Sequence, residues 1–156
     1  MPKYEIVQAT EDHVAELAPA MRGADAREIW ASSRRTPKEA LDLSLAVSRD
    51  TARAGLVDGR TVCMFGVARG TFLSPCASPW LLASDELPKH ARAFLRMSRE
   101  YVQRLRQEYV ELSNFVDARN VYAVKWLRWL GFTVEPAVPY GPDQIAFHPF
   151  RMRRDS

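Results

Sequence analysis

Apolar and polar side chains alternate over residues 4–9, a period of two that predicts a first β-strand. Thr10 can then cap a helix with Glu11 and Asp12 in its first turn, and Val14, Leu17, Ala18 and Met21 recur at helical spacing. Gly23 is expected to stop that helix and Asp25 to cap a short second one carrying Ile29 and Trp30. Thr36-Pro37-Lys38-Glu39 is a capping box with proline at the first helical position, so a third helix should run to about Arg49. Residues 52–57 and 60–68 flank Asp58-Gly59 and predict a hairpin.

Residues 70–79 hold Gly, Thr, Ser and two prolines and read as a loop, and 80–83 as a short apolar strand. A long helix is expected over about 91–107. Its apolar stripe is Phe94, Met97, Tyr101 and Leu105, and its other side carries Arg92, Arg96, Arg99 and Arg106. A strand over 110–116 and a helix through Val121, Val124, Leu127 and Leu130, ended by Gly131, come next. Strands over 132–135 and 145–150, joined through Pro139-Tyr140-Gly141-Pro142, complete the chain. Strands in clusters with helices between them predict an α/β (α+β) domain, a mixed sheet covered on its faces.

The 156 residues suit one domain spanning 1–156, with a short basic C-terminal tail at about 151–156. At 47% hydrophobic and 26% charged, the composition is that of a globular protein rather than a disordered one. No apolar run approaches the roughly 20 residues of a membrane span, and the first residues lack the apolar core of a secretory signal. A cytoplasmic or virion-associated location is expected. Cys63 and Cys76 have no metal-ligand spacing and read as reduced thiols, and His13, His90 and His148 lie far apart, so no metal site is expected. The net charge of +3 argues weakly for an anionic partner. The arginine stripe is a solvated face or a phosphate contact, and without interleaved aromatics it argues against nucleic acid. Asn114 in mid-strand is either hydrogen-bonded in the core or turned to a cleft.

One motif is more specific. Asn120, Ala123, Leu130, Gly131 and Phe132 fall in register with N-x-x-A-x-x-x-Y-x-x-L-G-F, which joins the last helix to the next strand in GNAT acetyltransferases. Gly66 also sits where those proteins often place a glycine. The chain therefore resembles the GNAT superfamily. With Trp80, Ser84-Asp85, Leu112-Ser-Asn114-Phe-Val116, Asn120 and Leu127, it looks most like the GNAT-like proteins of tailed phages, including internal virion proteins of short-tailed phages.

The resemblance implies a mostly antiparallel sheet of six to seven strands with one parallel central pair and helices on both faces. It implies an acyl-CoA-dependent N-acyltransferase acting on a small-molecule or protein amine. The alternative is a non-catalytic phage accessory or virion protein, with virion proteins as partners. Acetyl-CoA would lie between the strands at 80–83 and 110–116, against Leu82, Ala83, Ser84, Lys89, Ala91, Arg92 and Asn120. Backbone N–H groups near Leu82 would polarise the thioester carbonyl. Glu28, Asn114 and Asp117 are the catalytic candidates, the carboxylates as bases or as plain capping and solvated groups.

Two departures from the pattern weaken the coenzyme site. The glycine-rich loop that holds the pyrophosphate is replaced by Glu86-Leu87-Pro88-Lys89-His90-Ala91, where Pro88 lacks an N–H and Asp85 and Glu86 bring carboxylates. Leu127 stands where the family carries a proton-donating tyrosine, for which Tyr122 and Tyr140 are possible substitutes. Weak or absent acetyl-CoA binding is expected.

Overall fold

The computed structural model describes residues 1–48, 50–69 and 76–154. Arg49 and the first part of the expected loop, 70–75, lie outside the described residues. The strands are β1 (Tyr4–Gln8), β2 (Arg53–Val57), β3 (Arg60–Ala68), β4 (Cys76–Ala83), β5 (Glu111–Asp117), β6 (Thr133–Val134), β7 (Val138–Tyr140) and β8 (Ile145–Arg153). The helices are α1 (Glu11–Leu17), α2 (Gly23–Ser33), α3 (Pro37–Val47), α4 (Ala91–Glu108) and α5 (Val121–Leu130), with 3-10 turns at Ala18–Ala20 and Leu87–His90.

All eight strands form one sheet in the order β1-β2-β3-β4-β5-β8-β6, with β7 also on β8. Every described pairing is antiparallel except β4 with β5, which is parallel. The strand–long helix–strand order from β4 through α4 requires this, because parallel neighbours need a crossover. Alternation along the strands sends side chains to two cores. On one face Met64 and Leu82 pack with Val14, Leu17, Ile29 and Leu41 of α1–α3. On the other, Phe65 and Ala83 pack with Phe94 and Trp126, and Leu112 and Val116 with Val102, Leu105 and Val124, of α4 and α5.

Several local expectations need correction. The 80–83 strand begins at Cys76, so the second half of the expected loop is strand. Gly23 opens α2 instead of stopping α1, which ends at Leu17 and passes through the 3-10 turn. Arg22 is the N-cap of α2, and Asp25 lies buried in its first turn. The helix expected to reach Arg49 ends at Val47. Arg151 and Arg153, expected in a tail, are strand residues of β8, where Arg151 pairs with Glu135 and Arg153 with Glu111. No helix among the described residues is long and apolar enough to cross a membrane.

Candidate active site

The parallel ladder is short. β4 and β5 pair only at Cys76 with Glu111 and Ala77 with Leu112. Beyond that point the strands part, and a cavity of about 500 Å³ runs through the gap, lined by α2 and α3 on one face and α4 and α5 on the other. That volume suits a small-molecule ligand. Asn114 lines the cleft and ties its narrow end, donating from Nδ2 to the Pro79 carbonyl at 3.0 Å.

The antiparallel register fixes which β4 groups face the gap. Ser84 N–H bonds the Val62 carbonyl, so the even positions of β4 spend their N–H groups on β3 and the odd ones turn toward β5. Leu82 therefore faces β3 with its backbone donor. Of the odd positions beyond the ladder, Pro79 has no N–H and Ala83 N–H is taken by Asp25 Oδ2 at 3.0 Å. Leu81 N–H remains, directed at the cleft.

Past β4, the chain consumes its own donors. Ser84 Oγ accepts from Glu86 N–H at 3.2 Å, the Ser84 carbonyl from Leu87, and the Glu86 carbonyl from Lys89. Lys89 Nζ reaches back to Glu86 Oε1 at 2.9 Å, so its charge is partly answered within the turn. Leu87 is buried in the α4 core. Arg92 is exposed and Ala91 packs against that same core. Of the candidates on this stretch, Ser84 is the one enclosed and hydrogen-bonded into the site wall, and it also bridges Met21.

The far wall is built around Asn120 and α2. Asn120 caps α5, its Oδ1 accepting from Ala123 N–H at 3.4 Å. Its Nδ2 crosses the cleft end to Asp25 Oδ1 at 2.9 Å and to Glu28 Oε1 at 3.5 Å. Asp25 Oδ1 also takes Arg22 Nη1 at 2.8 Å, and Arg22 N–H bonds the Ala83 carbonyl. Segment 21–25 thus lies on the open edge of β4 at Ala83. Sequence reasoning missed Asp25 as a site residue. The available signal was two acids, Asp25 and Glu28, three apart on the face of α2 that buries Ile29.

Glu28 lines the cleft, accepting from Asp117 N–H at 2.8 Å through Oε1. Burial pushes its carboxyl up to about 8, helped by the nearby charge of Asp25 and opposed by the Asp117 N–H bond. Burial likewise raises Asp25 against the pull of Arg22. Asp117 differs: burial would raise it, but the hydrogen bonds and charge of Arg119 outweigh burial and hold it below the usual range. Both its oxygens bond Arg119, at 2.7 Å to Nη2, so Asp117 serves the site through its backbone.

Tyr122 also lines the cleft. Among the described residues its buried hydroxyl has no hydrogen-bond partner, and the Arg22 guanidinium lies 5.0 Å from its ring centroid. Tyr140 stacks on Phe115 at 4.2 Å. Gly66 permits the Trp80 indole to lie against the β3 backbone, because a Cβ there would meet the ring at 3.1 Å. Among the described residues no group of His, Cys, Asp and Glu could hold a metal ion.

No family model matches the sequence, and no curated protein matches it. Solved structures do match. A GCN5-related N-acetyltransferase from Kribbella flavida superposes with a TM-score of 0.69 at 20% identity, over 96% of this chain and 97% of the other. A ribosomal-protein-alanine N-acetyltransferase from Brucella melitensis gives 0.67 at 15% identity, over 96% and 99%. The aminoglycoside acetyltransferase AAC(6')-Ib, in complex with coenzyme A, gives 0.65 at 16% identity, over 97% and 95%. The fold is that of the GNAT acetyltransferases. In this GNAT-like fold the parted β4–β5 pair frames the cleft, with the Leu81 N–H on the β4 side and the Glu28 carboxyl on the α2 side.

Proposed function

We propose that this chain is an N-acyltransferase that passes an acyl group from a thioester, with acyl-CoA as donor, to an amine. The observation that carries the reading is the through-sheet cleft holding the Leu81 N–H on one wall and the Glu28 carboxyl on the other. An acyl thioester supplies an activated carbonyl. Leu81 N–H is oriented to donate to the carbonyl oxygen as negative charge develops there. Glu28 accepts the proton that the amine must lose, its raised pKa bringing it nearer to an amine's own value. Asn114 sets the spacing of the strands, and the unpartnered Tyr122 hydroxyl is available to donate a proton to the departing thiolate.

The residues fit the acyl end of coenzyme A better than its pyrophosphate. Three donors after β4, the Glu86, Leu87 and Lys89 N–H groups, are spent on Ser84 and Glu86, and Pro88 has none. Calorimetry should therefore give an acetyl-CoA dissociation constant weaker than about 100 μM, less than roughly 5.5 kcal/mol of binding.

The seating of segment 21–25 on the β4 edge favours a second reading, a non-catalytic protein that keeps the fold. Millimolar acetyl-CoA with a panel of amines separates the two. Amine-dependent thiol release that is lost in Glu28→Gln supports acyl transfer, and no release with any amine supports the second reading.

A further inference from the structure

We infer that the α2–α3 arm of the cleft is an acceptor site for a primary amine with one positive charge on an apolar alkyl or aryl body. The inference rests on the acyl-transfer reading for its chemistry and on the shape and charge of this arm for its class of ligand. Three large apolar side chains that line the cleft are exposed on this side: Leu43 at 42%, Val47 at 49% and Phe115 at 37%. Leu43 and Val47 stand one turn apart on α3, and Phe115 faces the same side from β5, held flat by the Tyr140 stack. Isolated exposed apolar residues are ordinary, but three converging on one concave surface mark a place where apolar matter is bound.

Charge narrows the class. Among the described residues lining the cleft, the acids are Asp25 and Glu28 and the bases are Arg22 and Arg35. Asp25 is already committed to Arg22, Asn120 and Ala83 N–H. Among the described residues Glu28 Oε2 has no hydrogen bond, and Glu28 is the acid left to meet an incoming amine. One ammonium is matched by one carboxylate, the form Glu28 takes as pH rises through about 8, and the binding is therefore read above that pH. A polyamine would find a single partner and be repelled by exposed Arg35 at the arm's mouth. The aliphatic or aromatic body then runs along Ile29, Leu43 and Val47, while the nitrogen sits at Glu28, on the far side of the sheet gap from α4.

The test uses the full chain with n-hexylamine and spermidine, which share a primary aminoalkyl end and differ in charge. Calorimetry without any acyl donor should show hexylamine binding at least about tenfold tighter than spermidine. The exposed substitutions Leu43→Asp and Val47→Asp, with folding checked by circular dichroism, should weaken hexylamine by about tenfold. Equal or tighter spermidine binding, or hexylamine affinity unchanged in both variants, overturns the inference. Transfer from millimolar acetyl-CoA to spermidine but not to hexylamine also overturns it and leaves the acyl-transfer reading standing. Hexylamine that binds as described yet is never acylated supports the site and removes that reading.

Discussion

Two helices begin at the top of the parted strands, and they differ. At the start of α5, one side chain does two jobs: Asn120 caps its own helix and spans the cleft end to Asp25 and Glu28. In the turn before α4, the Glu86, Leu87 and Lys89 N–H groups are turned inward, onto Ser84 and Glu86, and the turn is plugged by buried Leu87. A helix start open to an anion must leave its N–H groups free. The difference teaches that a helix start can be spent on holding the fold together or on satisfying its own turn. Asn120 braces two walls, whereas the turn before α4 satisfies its own donors.

Removing the brace should have the largest effect. Asn120→Ala deletes a cap and a buried bond to a carboxylate, and should cost about 2–3 kcal/mol in urea unfolding. For a chain of this size that lowers Tm by roughly 4–12 °C. A loss under about 0.5 kcal/mol would erase the contrast. Glu28 gives the next effect, read against pH. Its folded pKa is raised to about 8, so the folded chain holds a proton that the unfolded chain releases near about 4.3. Its contribution is therefore fully present below the unfolded value and is lost as pH rises through about 8. Stability should fall by at most about 1.4 kcal/mol per pH unit over that window, and Glu28→Gln should flatten the slope. A slope identical in wild type and variant would show that Glu28 titrates normally.

The smallest effect is expected at the other helix start. Ser84→Ala removes the acceptor for Glu86 N–H, which solvent can replace, and should cost about 0.5–1 kcal/mol by the same unfolding measurement. A cost above that of Asn120→Ala would reverse the comparison. Acetyl-CoA titrated into Ser84→Ala sharpens it further: affinity should stay weaker than about 100 μM, since one freed N–H does not rebuild a phosphate cradle.

Much of the sheet was legible because its signals are local. Alternation gave β1, Asp58-Gly59 gave the β2–β3 hairpin, and Thr36 and Asn120 marked two helix starts. The first half of β4 was hidden by Pro79. A proline is tolerated there because its ring nitrogen faces the gap, where no neighbouring strand asks for a hydrogen bond. The misreading was thus caused by the site itself. Asn114 was legible as a polar side chain out of place in a strand, and it does line the cleft, bonded to Pro79 rather than to the Ser84-Asp85 segment. Asp25 was not legible in its role. An acid in the first turn of a helix is commonplace, and nothing nearby in sequence tells that Ala83, 58 positions away, will supply its N–H.

The short parallel ladder has a mechanical consequence. β1 to β4 come from the first part of the chain and β5 to β8 from the second, and each set is an antiparallel fabric complete in itself. They are sewn together by two residue pairs and Asn114 at one end, and through the α2 carboxylates Asp25 and Glu28 at the other. The crevice is therefore also the seam between an amino-terminal and a carboxy-terminal half. Stitched at both ends, the seam is a framed slot and not a hinge: its width is set by the ladder and Asn114 at one end and by the α2 carboxylates at the other.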